Sequence, residues 1–119
     1  MARAVAFVPD LLFGSNLLGA LQAGGHDPVL VGNAEDLPGA LTGADVLVVD
    51  LTSDPQARIE LVASALGSGP PRTLGFYSHV ERDVRADAER AGFDLVVPRS
   101  RIARTASQLV SELAGQPAN

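Results

Sequence analysis

Polar side chains follow the short apolar runs of this sequence at the point where each run ends. The residues that share this placement are Asp10, Asp50, Thr52, Ser78 and Arg99. Two carboxylates held close together repel each other unless a proton or a cation lies between them. A hard cation that prefers oxygen ligands, such as Mg²⁺, suits a carboxylate pair. Hydroxyl and guanidinium groups beside that pair are suited to binding an anion such as phosphate.

The apolar run from Val46 to Val49 is the centre of the predicted fold. It consists of four aliphatic residues, mostly β-branched, and it stops at Asp50, after which turn-forming residues follow. A short continuous apolar run between turn signals is typical of a strand buried on both faces, as in the middle of a parallel sheet. In an open α/β sheet, ligands collect at the carboxyl ends of the strands, which is where Asp50 is predicted to lie.

Five apolar runs alternate with helical patterns along the chain. The strands are predicted at 3–8, 28–31, 46–49, 73–77 and 95–97. The helix after the third strand is predicted to begin with Asp54 as N-cap and Pro55 in its first turn. This alternation predicts a doubly wound parallel sheet with helices on both faces, in the flavodoxin-like order 2-1-3-4-5. We expect one α/β domain over residues 1–115 and a short disordered tail at 116–119.

Composition excludes several classes of function. The chain has 119 residues, a net charge of −5 and no cysteine. The acidic balance argues against binding to nucleic acid or an anionic membrane, and the lack of cysteine excludes thiol catalysis and fits the cytoplasm. All nine basic residues are arginine, so Schiff-base chemistry and a Walker-type phosphate loop are excluded as well. We expect neither a signal peptide nor a membrane span.

The order of the elements and the polar residues at their ends resemble the receiver domain of bacterial two-component response regulators. The resemblance implies that Asp50 is the phospho-accepting aspartate, and that Asp10 and the backbone carbonyl of Thr52 complete an Mg²⁺ site with it. It implies that Ser78 senses the phosphoryl group. It further implies a signalling role without enzymatic turnover, and a contact with a protein partner or a second copy through the last two helices.

The sequence departs from the receiver pattern at two positions. A receiver has two adjacent acids after the first strand, whereas here the first of them is Pro9. The position of the receiver lysine, at the end of the fifth strand, is occupied here by Pro98. Arg99 follows it, but its planar guanidinium group is not equivalent to the ammonium group of a lysine. We therefore expect a degenerate receiver, or pseudo-receiver, in which Arg99 serves as a substitute anion clamp.

Other roles for the same residues stay open at this point. Asp10 also suits the N-cap of the first helix, and Asp50 also suits a turn cap at the end of its strand. The alternative function is a small-ligand or nucleotide-binding domain on the same sheet edge, where Ser78, Arg99 and Arg101 hold an anion. A hydrolase that uses the carboxylate pair has weaker support, because no nucleophile and base are paired in the sequence.

Overall fold

A single parallel sheet forms the centre of the protein. The computed structural model describes residues 2–66, 70–78 and 82–115. Within these ranges the strands are β1 (Arg3–Phe7), β2 (Asp27–Val31), β3 (Val46–Asp50), β4 (Arg72–Tyr77) and β5 (Leu95–Pro98). Their order across the sheet is β2-β1-β3-β4-β5, and every neighbouring pair is parallel. The predicted fold and strand order are confirmed.

Helices cover both faces of the sheet in two layers. The helices of the described residues are α1 (Leu11–Ala23), α2 (Leu37–Ala40), α3 (Pro55–Ala65), α4 (Arg82–Arg90) and α5 (Arg99–Ala114). Side chains of α1 and α5 pack in one core, and those of α2, α3 and α4 pack in the other. Along β3, Val46 and Val48 enter the first core, whereas Leu47 and Val49 enter the second. Successive side chains of a strand point to opposite faces, which explains why this run is apolar throughout.

The structure corrects the prediction for the start of α3. Asp54 precedes the helix, but its side chain makes no capping hydrogen bond, and its φ of 45° lies in the left-handed region. An N-cap residue normally has an extended backbone, from which its side chain reaches the N–H groups of the first turn. The left-handed conformation of Asp54 instead turns the chain sharply from the end of β3 into α3.

Each of the five strands differs from the prediction by one residue at one end. β3 ends at Asp50, β4 begins at Arg72 and β5 ends at Pro98. β2 begins at Asp27 rather than Pro28, because the Asp27 N–H donates to the carbonyl of Ala2 and extends the pairing with β1. β1 ends at Phe7 rather than Val8. The predicted tail at 116–119 lies outside the described residues. Among the described helices, none has the length and apolar character that crossing a bilayer requires.

A buried histidine joins the start of β1 to α5. His26 is 8% exposed, and its Nδ1 accepts a hydrogen bond of 3.1 Å from the Ala2 N–H. In a neutral ring, Nε2 then carries the proton and donates to the Ser107 carbonyl at 3.1 Å. The Ser111 hydroxyl lies 3.0 Å from the same nitrogen. These bonds fix the C-terminal part of α5 against the edge of the sheet.

Candidate functional site

The two acidic residues of interest lie at the carboxyl edge of neighbouring strands. β1 pairs with β3 so that Phe7 is opposite Val49, which brings the two strand ends side by side. Asp50 is the last residue of β3 and is 4% exposed. Asp10 is exposed and precedes the first residue of α1. The predicted placement at the strand ends is therefore observed for both residues.

The Asp50 carboxylate is held by the loop that follows it. Its Oδ1 accepts hydrogen bonds from the Thr52 N–H at 2.8 Å and from the Thr52 hydroxyl at 2.5 Å. An aspartate that accepts from the backbone two residues later closes an Asx turn, which is the local role open to any aspartate at a strand end. Thr52 therefore fixes the orientation of the carboxylate and occupies one of its two oxygens.

An arginine from α3 lies over the other oxygen. Arg58 Nη1 donates to the backbone carbonyl of Asp50 at 2.8 Å and lies 3.9 Å from Asp50 Oδ2. The side chains of both residues are largely buried, with 13% of Arg58 and 5% of Asp50 exposed. The guanidinium carbon is also 5.9 Å from the ring centroid of Phe7, within range of a cation–π contact. Arg58 thus supplies a positive charge to the buried carboxylate from within the chain.

Asp10 has a similar pair of partners at the edge of the molecule. Its Oδ1 accepts from the Phe13 N–H at 3.1 Å and caps α1, and its Oδ2 lies 3.7 Å from Arg99 Nη2. The Arg99 guanidinium lies 4.3 Å from the centroid of the Phe13 ring, and that ring contacts Phe76 of β4 at 5.0 Å. The Arg99 guanidinium therefore lies between the Asp10 carboxylate and the face of the Phe13 ring.

All four carboxylate oxygens of Asp10 and Asp50 have a donor or a cation of this chain beside them. A divalent cation needs several oxygen ligands that point freely at one position. The two nearby guanidinium groups, of Arg58 and Arg99, would repel such a cation. Among the described residues, no group of three or more histidine, aspartate or glutamate side chains is suited to hold a metal ion. In this arrangement the guanidinium groups of Arg58 and Arg99 compete with the Mg²⁺ that the receiver resemblance implies.

The other predicted site residues lie around the same edge. Ser78 follows β4 and is partly exposed, and Arg101 is exposed in the first turn of α5. The peptide bond before Pro98 is trans, since the cis bond of the described residues is that between Pro70 and Pro71. The roles of Asp10, Asp50, Thr52, Ser78 and Arg99 in phosphorylation or ligand binding stay predictions.

Comparison with solved structures identifies the fold. A response regulator receiver protein from Burkholderia phymatum superposes with a TM-score of 0.82 at 17% identity, covering 99% of this chain and 98% of that chain. The fold is that of a response-regulator receiver domain. A CheY-like protein (tadZ) from Pseudomonas aeruginosa PAO1 gives a TM-score of 0.74 at 20% identity, covering 100% of this chain and 98% of that one. These low identities are those of a divergent receiver fold.

A third neighbour carries the modification that the resemblance predicts for Asp50. A response regulator protein from Burkholderia pseudomallei with a phosphorylated aspartic acid, calcium ion and citrate gives a TM-score of 0.71 at 14% identity. The match covers 97% of this chain and 74% of that chain. No protein-family model matches the present sequence, and no curated protein sequence matches it.

Arg58 is the site residue that the sequence does not reveal. Arg58 lies in the first turns of α3, next to the buried Ile59. Its position in the sequence does not distinguish it from any other charged residue on a half-exposed helix. The left-handed turn at Asp54 sets the direction in which α3 leaves the sheet edge, and that turn was not predicted. The sequence offers one weak signal for this contact. It is an arginine eight residues after a strand-end aspartate, with a proline at the start of the helix between them.

Proposed function

We propose that this protein is a receiver-like signalling module that acts through contacts with other proteins and does not use Mg²⁺-dependent phosphorylation of Asp50. The proposal rests on the receiver fold and on one observation, the position of Arg58 over Asp50. In this pseudo-receiver, the internal arginine takes the place of the external cation that would neutralise the carboxylate. The module has no enzymatic turnover of its own and acts in the cytoplasm.

The position of Arg58 opposes phosphorylation in two ways. A carboxylate oxygen that attacks phosphorus must be free to approach it, but Oδ1 of Asp50 accepts from Thr52 and Oδ2 lies against the guanidinium. A phosphoryl donor is a polyanion whose charge normally needs a metal ion between it and the nucleophile. A divalent cation bound at Oδ2 would lie close to the positive charge of Arg58, whose guanidinium is 3.9 Å from that oxygen and is held by the Asp50 carbonyl.

The alternative of an anion-binding domain has less support from the described contacts. It needs Arg99 free to bind the anion, whereas Arg99 lies beside Asp10 and over the Phe13 ring. It also needs the edge between Asp10 and Asp50 to hold a cation, and the same two arginines oppose one. The contact through α4, β5 and α5 stays a prediction. Four of the described charges of α4 form two ion pairs within the helix, Arg85–Glu89 and Arg90–Asp87.

The test is incubation with Mg²⁺ and a small phosphodonor such as acetyl phosphate, followed by intact-mass measurement. A working receiver domain in the same mixture serves as the positive control. We expect no phosphoryl adduct on the wild-type protein. An adduct that disappears in Asp50→Asn would overturn the proposal.

A second variant tests whether the arginine is responsible. Arg58→Gln removes the charge and leaves a side chain that can donate to the Asp50 carbonyl. An adduct on Arg58→Gln but not on the wild-type protein would identify Arg58 as the group that blocks phosphorylation.

A further inference from the structure

Helix α1 presents a face without any charge. Its sequence from Leu11 to Ala23 contains no acidic or basic residue, whereas α3, α4 and α5 each carry at least two. The two large apolar side chains that are most exposed in the described residues are here, with Leu11 and Leu12 each 75% exposed. Exposed leucines on an uncharged helix are typical of a surface that another protein covers.

Along one row of α1, formed by Leu12, Asn16 and Ala20, the exposed side chains become smaller towards the C-terminal end. The N-terminal end of α1 exposes Leu11 and Leu12, and the C-terminal end exposes Gly19, Ala20, Gln22 and Ala23. The space above Gly19 is open, since a Cβ there would meet no atom within 4 Å. Residues four apart share a face of a helix, so Leu12, Asn16 and Ala20 form one row. A second α1 placed antiparallel, with the two-fold axis at Asn16, brings each Leu12 opposite the other copy's Ala20.

A cleft between α1 and α5 begins at this row. It has a volume of about 230 Å³ and is lined by Phe13, Asn16, Leu17, Ala20, Ile102 and Ala103. Small-molecule pockets typically have about 300–1,000 Å³, so the cleft is better suited to a protruding side chain than to a whole ligand. Because Ala20 lines the cleft, the antiparallel arrangement directs Leu12 of a second copy into it.

Because the protein is acidic, a helix without charged side chains is better suited to self-association than its charged helices. Each copy carries a net charge of −5, so two copies repel each other at long range. Contact through α1 brings no charged side chain of that helix out of water, so no charge on α1 has to be desolvated. A two-fold contact of this kind is isologous, with the same residues on both sides.

We propose that α1 is a homodimer interface, in which two copies pack antiparallel about Asn16 and each inserts Leu12 into the cleft of the other. This interface is distinct from α4 and from β5, and it is independent of whether Asp50 is ever phosphorylated. A helix of 13 residues is about 20 Å long. A single helix pair of that length buries less than the roughly 800 Å² per partner of a standard interface. The dimer is therefore a weak one that depends on protein concentration.

The test is sedimentation equilibrium of the full chain from about 10 µM to about 1 mM, a range that suits a weak interface. We expect a monomer–dimer equilibrium that strengthens as salt is raised, because salt screens the repulsion between the two negative copies. Leu12→Glu is expected to weaken dimerisation by at least about tenfold, because the dimer loses two buried leucines and gains two charges. The matched control is Ala63→Glu, which adds the same charge to an exposed position of α3.

A compensating variant tests the antiparallel pairing itself. Leu12→Glu combined with Ala20→Arg places opposite charges face to face at both ends of the proposed interface and is expected to restore dimerisation. Restoration supports the pairing, and its failure contradicts it. A wild-type protein that stays monomeric throughout, or an equal loss of dimer in Ala63→Glu, would overturn the proposal. Weakening of the dimer by salt would also overturn it, because that indicates attraction between charged surfaces.

Discussion

Replacing Arg58 with methionine is expected to lower the free energy of unfolding by about 3 kcal/mol. Methionine keeps an apolar stem but removes the charge that lies 3.9 Å from Asp50 Oδ2 and the hydrogen bond to the Asp50 carbonyl. At an effective dielectric constant of about 20, two unit charges at this distance attract by about 4 kcal/mol. Removing one partner of a buried pair costs about 3–5 kcal/mol, and the partial exposure of Arg58 places this pair at the lower end.

The assay is urea unfolding of a double-mutant cycle made of Arg58→Met, Asp50→Asn and the two together. Asp50→Asn keeps the shape of the side chain but removes its charge. We expect a coupling energy of about 2–3 kcal/mol between the two positions. The matched control is Arg85→Met on α4, where the Arg85–Glu89 pair is about half exposed and is expected to contribute less than about 1 kcal/mol. A coupling energy below about 0.5 kcal/mol would refute Arg58 as the counter-charge of Asp50.

Three further substitutions test single contacts by unfolding measurements. Asp10→Ala is expected to lower the free energy of unfolding by about 1 kcal/mol, because α1 loses its N-cap. Asp10→Asn keeps a capping side chain and is expected to cost much less. Equal losses in the two variants would contradict the capping role. Gly75→Ala is expected to cost about 1–3 kcal/mol by overpacking, because its Cβ would lie 2.9 Å from a methyl of Leu51; an unchanged urea midpoint would contradict this. His26→Phe is expected to cost about 1–3 kcal/mol by leaving the Ala2 N–H without its acceptor, and a neutral effect would show that the bond contributes nothing.

The sheet could be predicted because its signal is contained in single short runs. The run Val46–Val49 is apolar at every position, and each of its side chains is 0% exposed, in one core or the other. Burial on both faces requires that pattern, so the pattern identifies a central strand and places Asp50 at its end. The strand order 2-1-3-4-5 is the flavodoxin-like one that five alternating strand–helix units of this length favour.

The environment of Asp50 could not be predicted in the same way. It depends on the left-handed backbone of Asp54, a conformation that sequence patterns assign mainly to glycine. That turn sets the direction of α3 and thereby brings Arg58 to the strand end. The receiver resemblance directs attention instead to the end of β5, where Arg99 follows the missing lysine. There the structure pairs Arg99 with Asp10, a contact between two loop–helix junctions that no local pattern encodes.

The burial of His26 is a second feature that local patterns miss. A histidine after two glycines at the end of a helix has the sequence environment of an exposed loop residue. Its burial depends on the close approach of α1 and α5, where a Cβ at Gly24 would lie 1.8 Å from the Ser107 hydroxyl. That approach is a property of the packed layers, and it appears only once both helices are placed on the sheet.

The most direct test of the arginine-neutralised site is an amide NMR titration with Mg²⁺ and then with Mg²⁺ and beryllofluoride, which mimics an aspartyl-phosphate. We expect that the resonances of Asp10, Asp50 and Thr52 do not shift with either addition in the wild-type protein. Saturable shifts at these residues that extend into α4 and α5 and disappear in Asp50→Asn would contradict it. They would show instead that Arg58 yields to a metal ion and that the protein is a working receiver.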